Sequence, residues 1–397
     1  MKVLIVSFFY EPEVGAAPYR IANLAKGLKQ EGAEVDVLTC LPNYPEGRIF
    51  KGYRNRFSMK ENLNGIRVFR YWTYATVSKN PLKRVVAMLA FSLFLWCFAF
   101  RCRLVKSYDR IIIQTPPLLV AASAMLLFKV CYGKLTLLNV SDLWPLSAVQ
   151  LGALKEGSFS YRYLSLCEKF LYKQADAVMG QSEEILMHVR KMFPEKKTFL
   201  YRNLNMHTHL AEDKKRGMPM KIVYAGLLGV AQNMYGLLRN VNFKELGVEM
   251  HLYGGGNQLG DIQKYIDSEE TCIYYHGYVS KAEIETELLK YDLSIVPLAT
   301  HIYGAVPSKI FDLLPKGIPI LFSGTGEGAK IVEENGFGLV SSYNDYKQME
   351  KNIHTFANMP DDEYFQCVSR CKSAAVEKFS FAKQIKDFDA FLRRVGE

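Results

Sequence analysis

The sequence predicts an α/β protein made of two doubly wound, Rossmann-like domains facing each other across a cleft. Two consecutive series of apolar strands and amphipathic helices, separated by a polar stretch, predict the pair. Glycine clusters at the ends of several strands predict where ligands approach the backbone. The 397 residues suffice for two domains of ordinary size. With 49% hydrophobic and 23% charged residues, the composition is globular rather than disordered.

The first series opens at residues 3–8, an unbroken apolar run expected of a strand covered on both faces. It reads as a strand rather than a signal peptide, because Pro12 and two Glu follow at once. After Glu11-Pro12-Glu13-Val14-Gly15-Ala16-Ala17-Pro18, the residues Ile21, Leu24, Ala25 and Leu28 recur at helical spacing, and Gly32 stops that helix. Residues 35–38 complete a β-α-β unit. Further strands are expected at 110–115, 135–140, 177–179 and 198–201. Residues 1–205 thus form the N-terminal domain. Residues 206–219 lack an apolar period and read as a linker. The second series, 220–377, has candidate strands at 221–225, 248–253, 272–275, 293–296 and 318–322. Within the closing stretch 378–397, Ile385, Phe388, Phe391 and Leu392 predict an amphipathic helix.

Residues 85–100 carry no charge, and basic residues flank them: Lys79, Lys83 and Arg84 before, Arg101, Arg103 and Lys106 after. The run is shorter than the roughly 20 residues of a spanning helix. Cations at both ends fit a helix lying in the headgroups of an anionic membrane surface; a buried core helix and a true span are the alternatives. The formal charge of +10 also fits an anionic partner. Dispersed Lys and Arg without a recognised binding motif argue against nucleic acid. The eight Cys form no Cys-x-x-Cys pair and the seven His are scattered, so no zinc site is expected and the thiols should be reduced.

Several strand-end segments carry candidate chemistry. Gly15 precedes a helix whose first amides suit a phosphate, and Arg20 lies one turn further on, within reach of a diphosphate or simply solvated. Gly226 and Gly229 open the second domain, followed by Gln232. Gly254 and Gly256 belong to a triple glycine that suggests close approach by a ligand. In Pro307-Ser308-Lys309-Ile310-Phe311-Asp312, Pro307 opens a helix and Ser308 caps it. Lys309 beside that helix N-terminus is unfavourable unless an anion lies between them. Asp312 is placed to accept ribose hydroxyls. Asp142 can orient or deprotonate an acceptor hydroxyl and Trp144 can stack on a sugar, although Asp before a turn is also ordinary loop chemistry. No Asp-x-Asp cluster is present, so no divalent ion is expected.

Phe9-Tyr10-Glu11-Pro12-Glu13-Val14-Gly15-Ala16, Leu41-Pro42-Asn43-Tyr44-Pro45-Glu46-Gly47, Asp142-Leu143-Trp144-Pro145, Tyr224-Ala225-Gly226 and Pro307-Ser308-Lys309 occur in one order along the chain. Together they resemble family 4 retaining glycosyltransferases of GT-B fold, especially fucosamine-transferase-like enzymes of bacterial O-antigen and capsule assembly. The resemblance implies transfer from a nucleotide sugar, preferably a UDP-activated N-acetylated amino sugar, to a lipid-linked saccharide on the cytoplasmic face of the cell membrane. It implies that Gly15, Ala16, Gly226 and Gly229 approach the donor diphosphate, with Tyr278 also at the donor. It implies that Asp312 holds the ribose, that Asn43, Tyr44 and Trp144 meet the acceptor, and that the final helix packs back on the first domain.

The sequence departs from the wider family at a carboxylate position occupied by Gly304, at basic positions occupied by Leu227 and Gln232, and at a His position occupied by Ser141. Lys309 and Arg20 are the candidates to replace the missing cations. A UDP-sugar 2-epimerase, an inactive scaffold and a basic nucleic-acid-binding protein are the competing readings.

Overall fold

The computed structural model describes residues 1–78, 80–206, 209–212, 214–269 and 271–396. Lys79 and parts of the expected linker (207, 208 and 213) lie outside the described residues. The chain divides into two units, Met1–Met206 with Ala382–Glu397, and His207–Phe381.

The first unit runs β1 (Lys2–Val6), α1 (Ala16–Gln30), β2 (Glu34–Cys40), β3 (Ser58–Leu63), β4 (Ile66–Tyr71), α2 (Pro81–Ala99), α3 (Cys102–Lys106), β5 (Arg110–Thr115), α4 (Leu118–Met125), β6 (Leu135–Val140), α5 (Leu146–Gln150), α6 (Phe159–Gln174), β7 (Ala177–Gly180), α7 (Glu183–Met192) and β8 (Lys197–Leu200). Among the described residues these strands make an eight-stranded sheet ordered β3-β4-β2-β1-β5-β6-β7-β8. The order reverses at β1 and β5, which pair in parallel. Val3, Leu4, Ile5, Ile111, Ile112 and Ile113 are fully buried, which is why these strands read as continuous apolar runs.

Two elements depart from the sequence expectation. β3 and β4 form an antiparallel hairpin, which was not among the expected strands. Its signal is the dipeptide Asn64-Gly65, whose residues both take positive φ (54° and 74°), as a tight hairpin turn requires. The apolar helix is also longer than the uncharged run. Asn80 Oδ1 accepts from the Leu82 amide, Pro81 sits in the first turn, and helix α2 therefore starts before Lys83 and Arg84. By length and composition α2 is long and apolar enough to cross a membrane. One face packs inward, with Phe91 against Phe8 and Phe98 against Phe69 and Phe128.

The second unit runs β9 (Met220–Ala225), α8 (Met234–Asn240), β10 (Val248–Tyr253), α9 (Leu259–Ser268), β11 (Ile273–Tyr275), α10 (Lys281–Glu287), β12 (Leu293–Pro297), α11 (Lys309–Leu313), β13 (Ile320–Ser323), α12 (Glu327–Glu334), β14 (Gly338–Ser341), α13 (Tyr346–Ala357) and α14 (Asp361–Glu377). Its parallel sheet is ordered β11-β10-β9-β12-β13-β14, and the switch point lies at β9 and β12. β14 was not among the expected strands.

The last helix, α15 (Phe381–Arg394), completes the first unit. Phe388 and Phe391 pack on Phe199. Arg110 Nε and Nη2 donate to the carbonyls of Leu392 and Arg393, both at 3.0 Å.

Candidate functional site

Strand order places a candidate site at each sheet's switch point, beyond the carboxyl ends of the strands. In the first unit the loop after β1 is held by a buried carboxylate. Glu13 accepts the amides of Asn43 (2.8 Å), Tyr44 (2.9 Å) and Tyr10 (3.1 Å). Burial raises its pKa against the pull of these amides. Two of the motifs seen in the sequence are thus one tied pair of loops.

This tie corrects two site expectations. The Asn43 side chain is buried and donates to the Leu41 carbonyl at 3.0 Å, so it shapes its loop rather than facing an acceptor. Gly15 lies beneath the Tyr44 ring; a Cβ there would stand 3.2 Å from Cε1. The close neighbour that favours glycine is therefore Tyr44. Tyr44 itself stays 42% exposed, and Ala16 is exposed at the start of α1, whose first turn holds no acidic residue.

Arg20 does not act as a free cation. It is buried, and its guanidinium donates to Gln181 Oε1 (3.1 Å), Asn139 Oδ1 (3.2 Å) and Ser141 Oγ. Gln114 Nε2 also reaches Ser141 Oγ (2.5 Å), and Gln181 Nε2 reaches the Ser141 carbonyl (2.6 Å). Burial pulls the Arg20 pKa down to about 10, countered by Asp142 and Tyr201. Burial raises the Asp142 pKa and the positive Arg20 lowers it. Arg20 is thus a positioning residue for the Ser141–Asp142 turn, and the expectation that it meets the diphosphate is corrected. Asp142 and Trp144 are half-buried at that turn. Gln114, Asn139 and Gln181 were missed; their signal was polar side chains at the carboxyl ends of three adjacent apolar strands.

In the second unit three strand-end loops are laced together. The Gly226 amide donates to the Tyr253 carbonyl (2.9 Å), the Leu228 amide to Gly255 (2.9 Å), and the Gly254 amide to Gly277 (2.8 Å). The glycines at 254 and 256 answer to this lacing. A Cβ on Gly254 would stand 1.9 Å from the Gly226 oxygen, and one on Gly256 would stand 2.2 Å from the Leu228 oxygen. The close approach foreseen for a ligand at these two positions is made by neighbouring backbone. Gly255, between them, has open space beside it.

Lys309 enters this cradle. A Cβ on Gly226 would lie 2.4 Å from its Nζ, and Nζ stands 4.8 Å over the Tyr224 ring. The Tyr224 hydroxyl donates to the Leu227 carbonyl (2.6 Å), fixing the ring. Lys309 Nζ donates no hydrogen bond within the protein among the described residues. Burial lowers its pKa to about 8, with Asp312 acting the other way. The result is a desolvated cation at a glycine loop.

Ser308 takes the cap position of α11 through its carbonyl, which accepts the amides of Phe311 and Asp312 (2.9 and 3.1 Å). Its side chain makes no cap bond, contrary to expectation. α11 is only five residues long, so its dipole is weak. Asp312, its pKa raised to about 6 by burial, lies in the field of Lys281, Lys316 and Lys309. Pro307 and Gly229 flank the cradle in sequence. Gln232 Oε1 is buried beside Gly229 and has no donor among the described residues. Tyr278 is 77% exposed and follows Gly277, whose carbonyl binds Gly254.

Residues 15–201 match the glycosyl transferase 4-like domain family. The putative colanic acid biosynthesis glycosyl transferase WcaI of Escherichia coli K12 is 27% identical over 157 residues, 40% of this chain and 38% of that protein. The match thus spans well under half of either. Sucrose-phosphate synthase from Thermosynechococcus elongatus superposes over 99% of this chain and 98% of its own, with a TM-score of 0.74 at 12% identity. HepE of Anabaena, solved with UDP and glucose, superposes over 99% of this chain and 100% of its own, with a TM-score of 0.68 at 13% identity. The superpositions show the GT-B fold, and residues 15–201 carry the likeness to a glycosyl transferase 4-like domain.

Proposed function

We propose that the chain moves a sugar from a nucleoside diphosphate sugar to a lipid-linked saccharide, with retention of configuration, in bacterial surface polysaccharide synthesis. The observation that carries this reading is the Lys309 ammonium at Gly226, desolvated and without a hydrogen-bond acceptor of its own. Breaking a glycosyl phosphate bond leaves negative charge on the departing diphosphate. A fixed, dehydrated cation stabilises that charge more than it stabilises the ground state. Asp312 would accept two ribose hydroxyls, and Tyr278 would cover the base. In the first unit Asp142, held by the Arg20–Ser141 network, would orient the acceptor hydroxyl while Trp144 stacks on a sugar ring. UDP is the favoured nucleotide, since HepE is seen with UDP, and the family resemblance favours an N-acetylated amino sugar. No divalent ion takes part in this scheme, so a chelator should leave turnover unchanged.

Thermal protection by a panel of UDP- and GDP-sugars tests the donor. A stabilising ligand raises the melting temperature with the logarithm of its excess over Kd. Protection by UDP-sugars supports the proposal, and no protection by any nucleotide sugar overturns it. Release of free sugar isomer from donor alone would favour the epimerase reading instead.

The Asp312 carboxyl gives this proposal a pH dependence. Its folded pKa of about 6 lies above the ordinary 3.8, so burial favours the protonated form. The stability this contributes is complete below pH 3.8 and is lost as pH rises through 6. Ribose binding needs the carboxylate, so UDP affinity should fall as pH drops through 6. Asp312→Asn should weaken UDP by about 10–100-fold at neutral pH and flatten that profile. Calorimetric titration across pH checks it.

A further inference from the structure

We propose that the outer face of α2, continued by α4 and α6, is a docking surface for an anionic lipid bilayer. α2 presents two faces. Ala87, Phe91, Leu95 and Phe98 are buried in the first unit. Leu82, Val86, Leu89, Leu93 and Phe100 recur at helical spacing on the other face and are exposed, Leu93 by 66% and Phe100 by 86%. Trp96 stands beside them, 38% exposed, its indole N–H bonded to Ser123 of α4. α4 packs on both α2 and α6. Just past α4, Leu126 and Val130 are exposed, and α6 adds Phe159 at 85% together with Tyr163 and Leu166. An apolar surface of this extent marks a contact with a partner.

Charge identifies that partner. Lys83 and Arg84 are exposed at one end of α2, and Arg101, Arg103 and Lys106 at the other. From residue 62 to residue 141 the sequence holds eleven Lys and Arg but a single acid, Asp109. An apolar ridge with cations at both ends matches an anionic headgroup layer over hydrocarbon. A second copy of this chain would set these like charges against each other. Because its inner face fills the core of the first unit, α2 lies along the membrane surface and leaves the sheet intact. The surface stands apart from the sugar-transfer reading: nucleotide protection tests that reading and vesicle binding tests this one.

The test is flotation of the full chain with vesicles of phosphatidylcholine, alone and mixed with phosphatidylglycerol. Binding is expected to the mixed vesicles and to fall by about fivefold for each cation neutralised in Arg101→Gln and Arg103→Gln. Leu89→Ser with Leu93→Ser should abolish binding and leave the melting temperature unchanged, since both side chains are exposed. Cys97, Cys102 and Cys131 are exposed near one end of α2 and provide a second readout. Mixed vesicles should shield them from a membrane-impermeant maleimide. Failure to float with mixed vesicles overturns the proposal. So do cysteines that label equally with and without vesicles, a dimer that the serine pair dissociates, or resistance to alkaline extraction, which would mark a span.

Discussion

Lys309→Met is expected to abolish sugar transfer and at the same time to stabilise the unliganded protein. The ammonium is held over Tyr224 at Gly226 with its pKa drawn down to about 8, so the empty site works against its charge. Met keeps most of the stem and removes that cost. With the folded pKa below the ordinary 10.5, the penalty is fully present below pH 8 and fades as pH rises toward 10.5. The melting temperature near pH 7 should therefore rise, by about 2–4 °C per kcal/mol recovered in a unit of this size. The gain should vanish in strongly alkaline buffer. In catalysis the loss runs the other way. Removing one preorganised group that faces the leaving charge costs about 100–1000-fold in kcat, and here the charge itself is lost. Steady-state kinetics and a melting curve on the same sample check both halves. Turnover within about tenfold of the parent would refute the phosphate role.

Gly254→Ala is expected to destabilise the second unit strongly. Its φ of +124° is strained for an L side chain, and the new Cβ would lie 1.9 Å from the Gly226 oxygen. Relief requires the β9 and β10 loops to part, breaking the bonds from Gly226 to Tyr253 and from Leu228 to Gly255. Strain and overpacking of this kind cost about 2–4 kcal/mol. Gly255→Ala serves as the control, because nothing lies within 4 Å of its Cβ. Urea denaturation of both variants separates lacing from composition. Equal midpoints would show that the loops part without penalty.

The two sheets were legible because parallel strands covered on both faces must be apolar throughout, and Val3 to Val6 or Ile111 to Ile113 have few alternatives. The β3–β4 hairpin is hard to read because β3 has no apolar run and alternates exposed and half-buried residues. Asn64-Gly65 was its readable sign. The gathering of glycines and charges at strand ends was legible, but what each of them touches was not. Gly254 and Gly256 serve the next loop, a fact that needs the register of β9 against β10. Arg20 turned out to hold the Ser141 turn because Asn139 and Gln181, distant in sequence, arrive beside it from β6 and from beyond β7. One sequence shows that a cation lies near a strand end; it does not show which polar groups the neighbouring strands bring to it. No such group reaches Lys309 among the described residues, so it remains the candidate cation for the diphosphate.

The return of α15 to the first unit has a consequence for synthesis on the ribosome. Phe199 and Tyr201 pack on Phe388, which emerges only after all of residues 207–381. At about 5–20 residues per second, that interval is on the order of ten seconds or more. Throughout it, the nascent first unit carries an uncovered aromatic strip at β8, and the second unit can finish folding before the first. Chaperone capture should therefore peak while the second unit is being translated and cease once α15 has docked.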